Sequence, residues 1–155
     1  MRSATDWLDE YSESHQHPTN KLLHWICVPV IVVSVVGLLW SLPVPQAFEN
    51  VSPVLNWGTA VLAMAVAYYA FLSVPLALGM VPVVVAVAVC VAWLDRLAMP
   101  LWQISAALFV VAWIGQFIGH HFEGRKPSFV KDVQFLLIGP LWLLAFAFRR
   151  LRLSY

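Results

Sequence analysis

The groups in this sequence best suited to chemistry are five histidines, and they occupy two short segments. One reads Gln116-Phe-Ile-Gly-His-His-Phe-Glu-Gly-Arg-Lys-Pro127 and sits where a long apolar run gives way to charge. The other, near the N-terminus, carries Tyr11, His15, His17, Asn20, Lys21 and His24. His120 and Glu123 are three apart on what reads as the last turn of a helix, so both side chains share one face. His24 falls one turn into an apolar helix, where a polar group is costly and marks function. Asn20 precedes His24 by four, and Tyr11 precedes His15 by four, each in a place to orient its histidine. Three histidines, with or without a carboxylate, suit zinc or non-haem iron. His121 points about 100° away from His120 on a helix, yet it stays a candidate. His17, just before Pro18, reads as solvated. Arg125 is placed to pair with a substrate carboxylate or to serve as an ordinary cytoplasmic cation. The bland alternative for the whole set is a group of buried or interfacial histidines that meet only structural needs.

The elements that position these residues are membrane helices. The chain is 61% hydrophobic and 11% charged, with a mean hydropathy of +0.80, against roughly 25% charged residues in soluble domains. It is expected to form one all-α integral membrane domain over residues 1–155. No basic stripe for nucleic acid is present, and the polar stretch from Met1 to Asn20 has no apolar core of a cleaved signal. Cys27 and Cys90 lie in apolar segments and read as packing residues rather than a disulfide.

In chain order, Ala4 to Ser14 reads as an amphipathic helix, with Trp7, Leu8 and Tyr11 on one face, lying at the interface or capping the cytoplasmic mouth. Pro18 breaks it, and Thr19 or Asn20 is expected to cap the next helix. Four spans follow, at Lys21 to Leu42, Asn56 to Leu72, Leu76 to Leu94 and Leu101 to Gly119. Gly124 to Asp132 is a polar loop, and Phe135 to Phe148, interrupted by Gly139-Pro140, is short enough to be re-entrant or tilted. With the N-terminus inside, the Pro43–Pro53 loop carries no Lys or Arg and lies outside. Counting spans then puts His24 and His120 at the same cytoplasmic face, in what reads as a bacterial inner membrane.

Two exclusions narrow the chemistry. The membrane desaturases and hydroxylases use eight or more histidines for two irons, and five are too few. No HExxH zinc-protease motif occurs.

The pattern Tyr11-x3-His15-x4-Asn20-Lys21-x2-His24-x4-Pro29, together with Gln116-Phe-Ile-Gly-His120-x-Phe-Glu123-x-Arg125-Lys-Pro127 and the later Gly139-Pro140, resembles the small membrane family of the fungal 2-hydroxy fatty acid dioxygenase. Cys27 stands where that pattern leads one to expect glycine, and Ser128 replaces a more usual alanine. The resemblance implies an Fe(II)-dependent dioxygenase of fatty acid α-oxidation, which shortens a long-chain 2-hydroxy fatty acid by its carboxyl carbon. It maps the family's essential histidines onto His15, His24 and His120. Beside this stand Glu123 as a further ligand or orienter, His121 as a possible ligand, Arg125 as carboxylate partner, and Tyr11 and Asn20 in support. Two other classes remain in view: a non-catalytic lipid carrier or scaffold, and a zinc-dependent lipid hydrolase.

Overall fold

The computed structural model describes residues 3–126 and 134–155, and among these the chain is helical with no strand. The elements are α1 (Ala4–Glu13), α2 (Pro18–Trp40), a one-turn α3 (Gln46–Glu49), α4 (Trp57–Leu72), α5 (Val74–Leu94), α6 (Leu101–Glu123) and α7 (Phe135–Arg150). Pro127 and Ser128, and the remainder of the expected polar loop through Asp132, lie outside the described residues.

Helices α2, α5 and α6 are long and apolar enough to cross a membrane. Their outer faces leave Ile26, Leu78, Val85 and Val111 exposed, an arrangement suited to lipid and not to water. The second expected span is α4, and its 16 residues reach about 24 Å at 1.5 Å per residue. That is short of a hydrocarbon core of roughly 30 Å. Asn56 and Thr59 close a reciprocal cap on α4, and Ser73 alone separates it from α5. Helix α7 is also 16 residues long.

Two expected boundaries move, each for a local reason. The cap of α2 is His17, whose Nδ1 accepts the Thr19 N–H (3.2 Å), and not Thr19 or Asn20. Pro18 is the first helical residue, where its missing N–H has no intrahelical partner to lose. Helix α6 continues past Gly119 to Glu123 and stops at Gly124, which takes the left-handed conformation (φ 69°) that glycine adopts without strain. The His120–Glu123 turn is therefore helical, and the two residues do share a face.

The expected interfacial helix α1 packs on protein. A capping box between Ser3 and Asp6 starts it, and its face of Ala4, Trp7, Leu8 and Tyr11 is buried against α7. Trp7 meets Phe135 edge-on (5.3 Å between ring centroids), and the Trp142 indole N–H donates to the Ser12 hydroxyl (2.8 Å). Two apolar cores result. One joins α1 and α7 to Val28, Tyr69, Leu76 and Met80. The other joins Val36, Leu62, Val87, Val91 and Leu101.

Helices α2 and α6 form the closest pair, and small residues on α6 let them approach. A Cβ added at Gly115 would lie 2.6 Å from the Cys27 sulfur, and one at Gly119 2.6 Å from Asn20 Oδ1. Cys27 is thus accommodated by a glycine on the facing helix. Both cysteines are free thiols. Gly119→Ala is expected to destabilise the bundle by about 1–3 kcal/mol through overpacking and to weaken any metal held beside it. Val111→Ala, on the exposed face of the same helix, should be near neutral. Thermal unfolding of both variants in detergent checks this.

Candidate metal centre

His15, His24 and His120 come together although they arrive from three elements. His15 lies in the α1–α2 linker, His24 is a turn and a half into α2, and His120 is in the last turn of α6. All three are buried, at 1%, 2% and 5% exposure, and one ring nitrogen of each lies within 4.8 Å of the others. This is the group of potential metal-ligating side chains that forms among the described residues.

The hydrogen bonds around the rings fix what their nitrogens offer. His15 Nδ1–H donates to the Tyr11 carbonyl (2.6 Å), and His24 Nδ1–H donates to the Asn20 carbonyl (3.2 Å). A carbonyl only accepts, so both protons reside on Nδ1. The two Nε2 atoms are then bare lone pairs, and they face each other at 2.8 Å. Two lone pairs at that distance repel unless a cation lies between them. His120 Nδ1 is buried with no hydrogen-bond partner, a third unsatisfied nitrogen in the same place. Neutral, deprotonated imidazole nitrogens converging in this way fit a divalent transition metal.

The surroundings hold the rings in place. Tyr11 stacks on His15 (centroids 4.1 Å apart, planes 12° apart), and its hydroxyl lies where a Cβ on Gly139 would come within 3.0 Å. That contact gives the Gly139-Pro140 pair a reason. Burial holds the Tyr11 phenol well above its usual range, so it stays protonated. Asn20 is fully buried, and its amide N–H donates to the Ser14 carbonyl (3.1 Å) and to Glu123 Oε2 (3.0 Å). Glu123 also accepts the backbone N–H of Gln16 and of His17, both at 2.8 Å. Its carboxylate therefore clamps the linker that carries His15 and stands outside the group of three histidines.

The remaining expected site residues lie further out. His121 is exposed on the neighbouring face of α6. Together with Arg125, Lys126 and one side of His120 it lines an open depression. Arg125 donates from Nη1 to the Glu13 carbonyl (2.9 Å), tying the end of α6 to the end of α1. His17 caps α2 and stacks on Phe122.

Sequence reasoning missed Gln116 as a site residue. It is 4% exposed, its amide nitrogen has no partner, and it lines a cavity of about 50 Å³ together with His24, His120 and Tyr11. Its signal was a lone amide one turn before His120 on the same helix face.

Burial pushes the His15 imidazole down to about 4, aided by His120 and opposed by the Tyr11 carbonyl and Glu123. The unfolded chain binds this proton near 6.5 and the folded chain does not. Stability of the metal-free protein is thus full above about 6.5 and falls as pH drops toward 4. Unfolding temperatures between pH 7 and pH 4.5 should show that slope, and His15→Asn should make it shallower.

A model of the Mpo1-like family, described as 2-hydroxy-palmitic acid dioxygenase Mpo1-like, matches residues 1–151. The chain is 29% identical over 137 residues to the 2-hydroxy-palmitic acid dioxygenase MPO1 of Saccharomyces cerevisiae, a match covering 86% of this chain and 73% of the yeast protein. No solved structure matches the chain.

Proposed function

The chain belongs to the Mpo1-like family, and from that premise we propose that it is a fatty acid dioxygenase that uses Fe(II) to convert a long-chain 2-hydroxy fatty acid to the fatty acid one carbon shorter. The observation that carries the metal is the pair of facing Nε2 lone pairs on His15 and His24, with the orphaned His120 nitrogen beside them. The balance is one 2-hydroxy acid and one O2 to one shortened acid, CO2 and water. The C1–C2 bond breaks, and C2 becomes the new carboxyl carbon. This balance closes without an external reductant.

In this reading His15, His24 and His120 hold the iron. When bound, the iron supplies the redox chemistry that turns O2 on the 2-hydroxy carboxylate. The protein's own groups do the positioning. The Tyr11 and Asn20 carbonyls fix the tautomers of His15 and His24, and the Tyr11 ring buttresses His15. Glu123 orients the His15 linker, and His121 lies outside the ligand set. The unpartnered Gln116 amide donates to an oxygen of the substrate head, which relieves its own buried N–H. Arg125 and Lys126 line the open depression at His120 and draw the carboxylate toward it. The site faces the cytoplasmic side of the membrane on the distribution of Lys and Arg; a bacterial inner membrane fits this orientation.

The test is oxygen uptake by anaerobically purified protein reloaded with Fe(II) and given a 2-hydroxy fatty acid without reductant. One O2 consumed per acid, with a product one carbon shorter, is the expected result. Tightly bound zinc with hydrolysis of a lipid ester and no oxygen uptake would replace this reading with a hydrolase.

A further inference from the structure

A second, larger cavity lies beside the metal centre. It encloses about 440 Å³ between α2, α4, α5 and α7, within the range of roughly 300–1,000 Å³ usual for small-molecule sites. Its walls are hydrocarbon almost throughout. Of its two side chains with a polar atom, Tyr69 has its hydroxyl committed to the Leu137 carbonyl (2.8 Å), and Trp25 is an exposed indole at the rim. Away from that rim the lining offers a ligand no free polar side chain among the described residues, so an occupant must be apolar along most of its length.

Two features connect this space to the chemistry. Val28, Ile31, Val32 and Leu136 line both this cavity and the small one that holds His24, His120 and Gln116. Two in-helix prolines, Pro29 of α2 and Pro140 of α7, also line it. Each lacks the N–H of a helical hydrogen bond, so both helices are weakened in their backbone ladder where they line the cavity. At the far end Val36, Leu62 and Val87 are buried members of the second apolar core, so the cavity is closed there. Along α2 the lining runs from Trp25 to Val36, about 16 Å of helix. Trp25, Leu136 and Leu137 are exposed on the outer surface, so the cavity's α2–α7 side, where Trp25 meets Phe146 edge-on (5.5 Å between ring centroids), is the side that faces lipid.

We propose that this cavity is the acyl-chain site, entered sideways from the bilayer between α2 and α7, and that its closed end at Leu62 and Val87 sets the chain length the protein accepts. The head of the chain then lies at Gln116 and the histidines, and the methyl end at Val87. The inference rests on the dioxygenase reading for the identity of the substrate, while the binding of an aliphatic acid chain is testable without it.

The experiment uses the full chain in detergent with metal loaded, and compares 2-hydroxy acids from ten to eighteen carbons. Val87→Phe and, independently, Ala65→Phe on α4 fill the cavity, and Val87→Ala lengthens it. Filling should lower the ratio of long-chain to short-chain turnover by roughly 10–100-fold, and Val87→Ala should move the optimum toward longer chains, with metal content unchanged in all three. A variant that loses metal is judged by the other two. Displacement of a fluorescent polyene fatty acid by the same acid series, on wild type and variants, reads the cavity without turnover. If wild type consumes no oxygen but displacement still shifts with length in the variants, the cavity assignment stands and the reaction assignment falls. An unchanged length profile in metal-bound variants overturns the proposal. So does equal loss at every length, or equal displacement by a diacyl phospholipid, which would mark a non-selective lipid crevice.

Discussion

His24→Ala is expected to strip the protein of its metal and abolish oxygen uptake, and His120→Ala is expected to do the same. Binding energies of structural zinc sites run to about 10–16 kcal/mol. Removing one of three protein ligands then costs roughly 3–5 kcal/mol, a loss in affinity of roughly one hundred- to several thousand-fold. The fold should survive, because His24 Nδ1 gives up only a hydrogen bond to the Asn20 carbonyl, and removing an imidazole relieves the lone-pair contact at Nε2. The measurement is metal content beside far-UV circular dichroism on the purified variants. Retention of stoichiometric iron in both would remove these histidines from the ligand set.

Glu123 gives a prediction of a different shape. Its carboxylate accepts from Gln16, His17 and Asn20, so its replacement frees the segment that bears His15. Hydrogen bonds to a charged acceptor contribute about 1.5–3 kcal/mol each when shielded, and less where water reaches them. Glu123→Ala should therefore cost about 2–4 kcal/mol of stability. Glu123→Gln keeps one acceptor but turns its amide toward groups that are themselves donors. Its metal affinity should fall by about 10–100-fold, the usual effect of losing an orienting contact, while iron still loads fully at high concentration. Failure to load at any iron concentration, as in His24→Ala, would make Glu123 a ligand instead. A titration with Fe(II), or with Co(II) as a spectroscopic substitute, separates the two.

Much of this molecule was legible in the sequence because the bilayer leaves few options. Apolar runs near twenty residues must be helices, and two polar clusters separated by an even number of crossings must share a face; the meeting of His24 and His120 followed from a count of four. What escaped was set by contacts across the bundle. Helix α1 was expected at the interface or over the cytoplasmic mouth, but that its apolar stripe packs on α7 is something no local pattern announces. Glu123 was paired with His120 because the two share a helix face, yet the backbone N–H groups of Gln16 and His17 claim its oxygens. Backbone donors carry no sequence signature. Gln116 was passed over for a similar reason: an isolated amide in an apolar run looks incidental until its nitrogen is seen without a partner.

The order of the three proposed ligands along the chain has a further consequence. His15 and His24 precede α2's crossing, and His120 comes only at the end of α6, so a ribosome exposes the first two long before the third. A half-site of two imidazoles binds metal weakly, and the third joins only when α6 has inserted against α2. Under the proposed function, iron capture thus waits for a completed bundle. A truncated or stalled product, lacking α6, has no means to retain a redox-active ion in the membrane, where peroxidation of neighbouring acyl chains would be the cost.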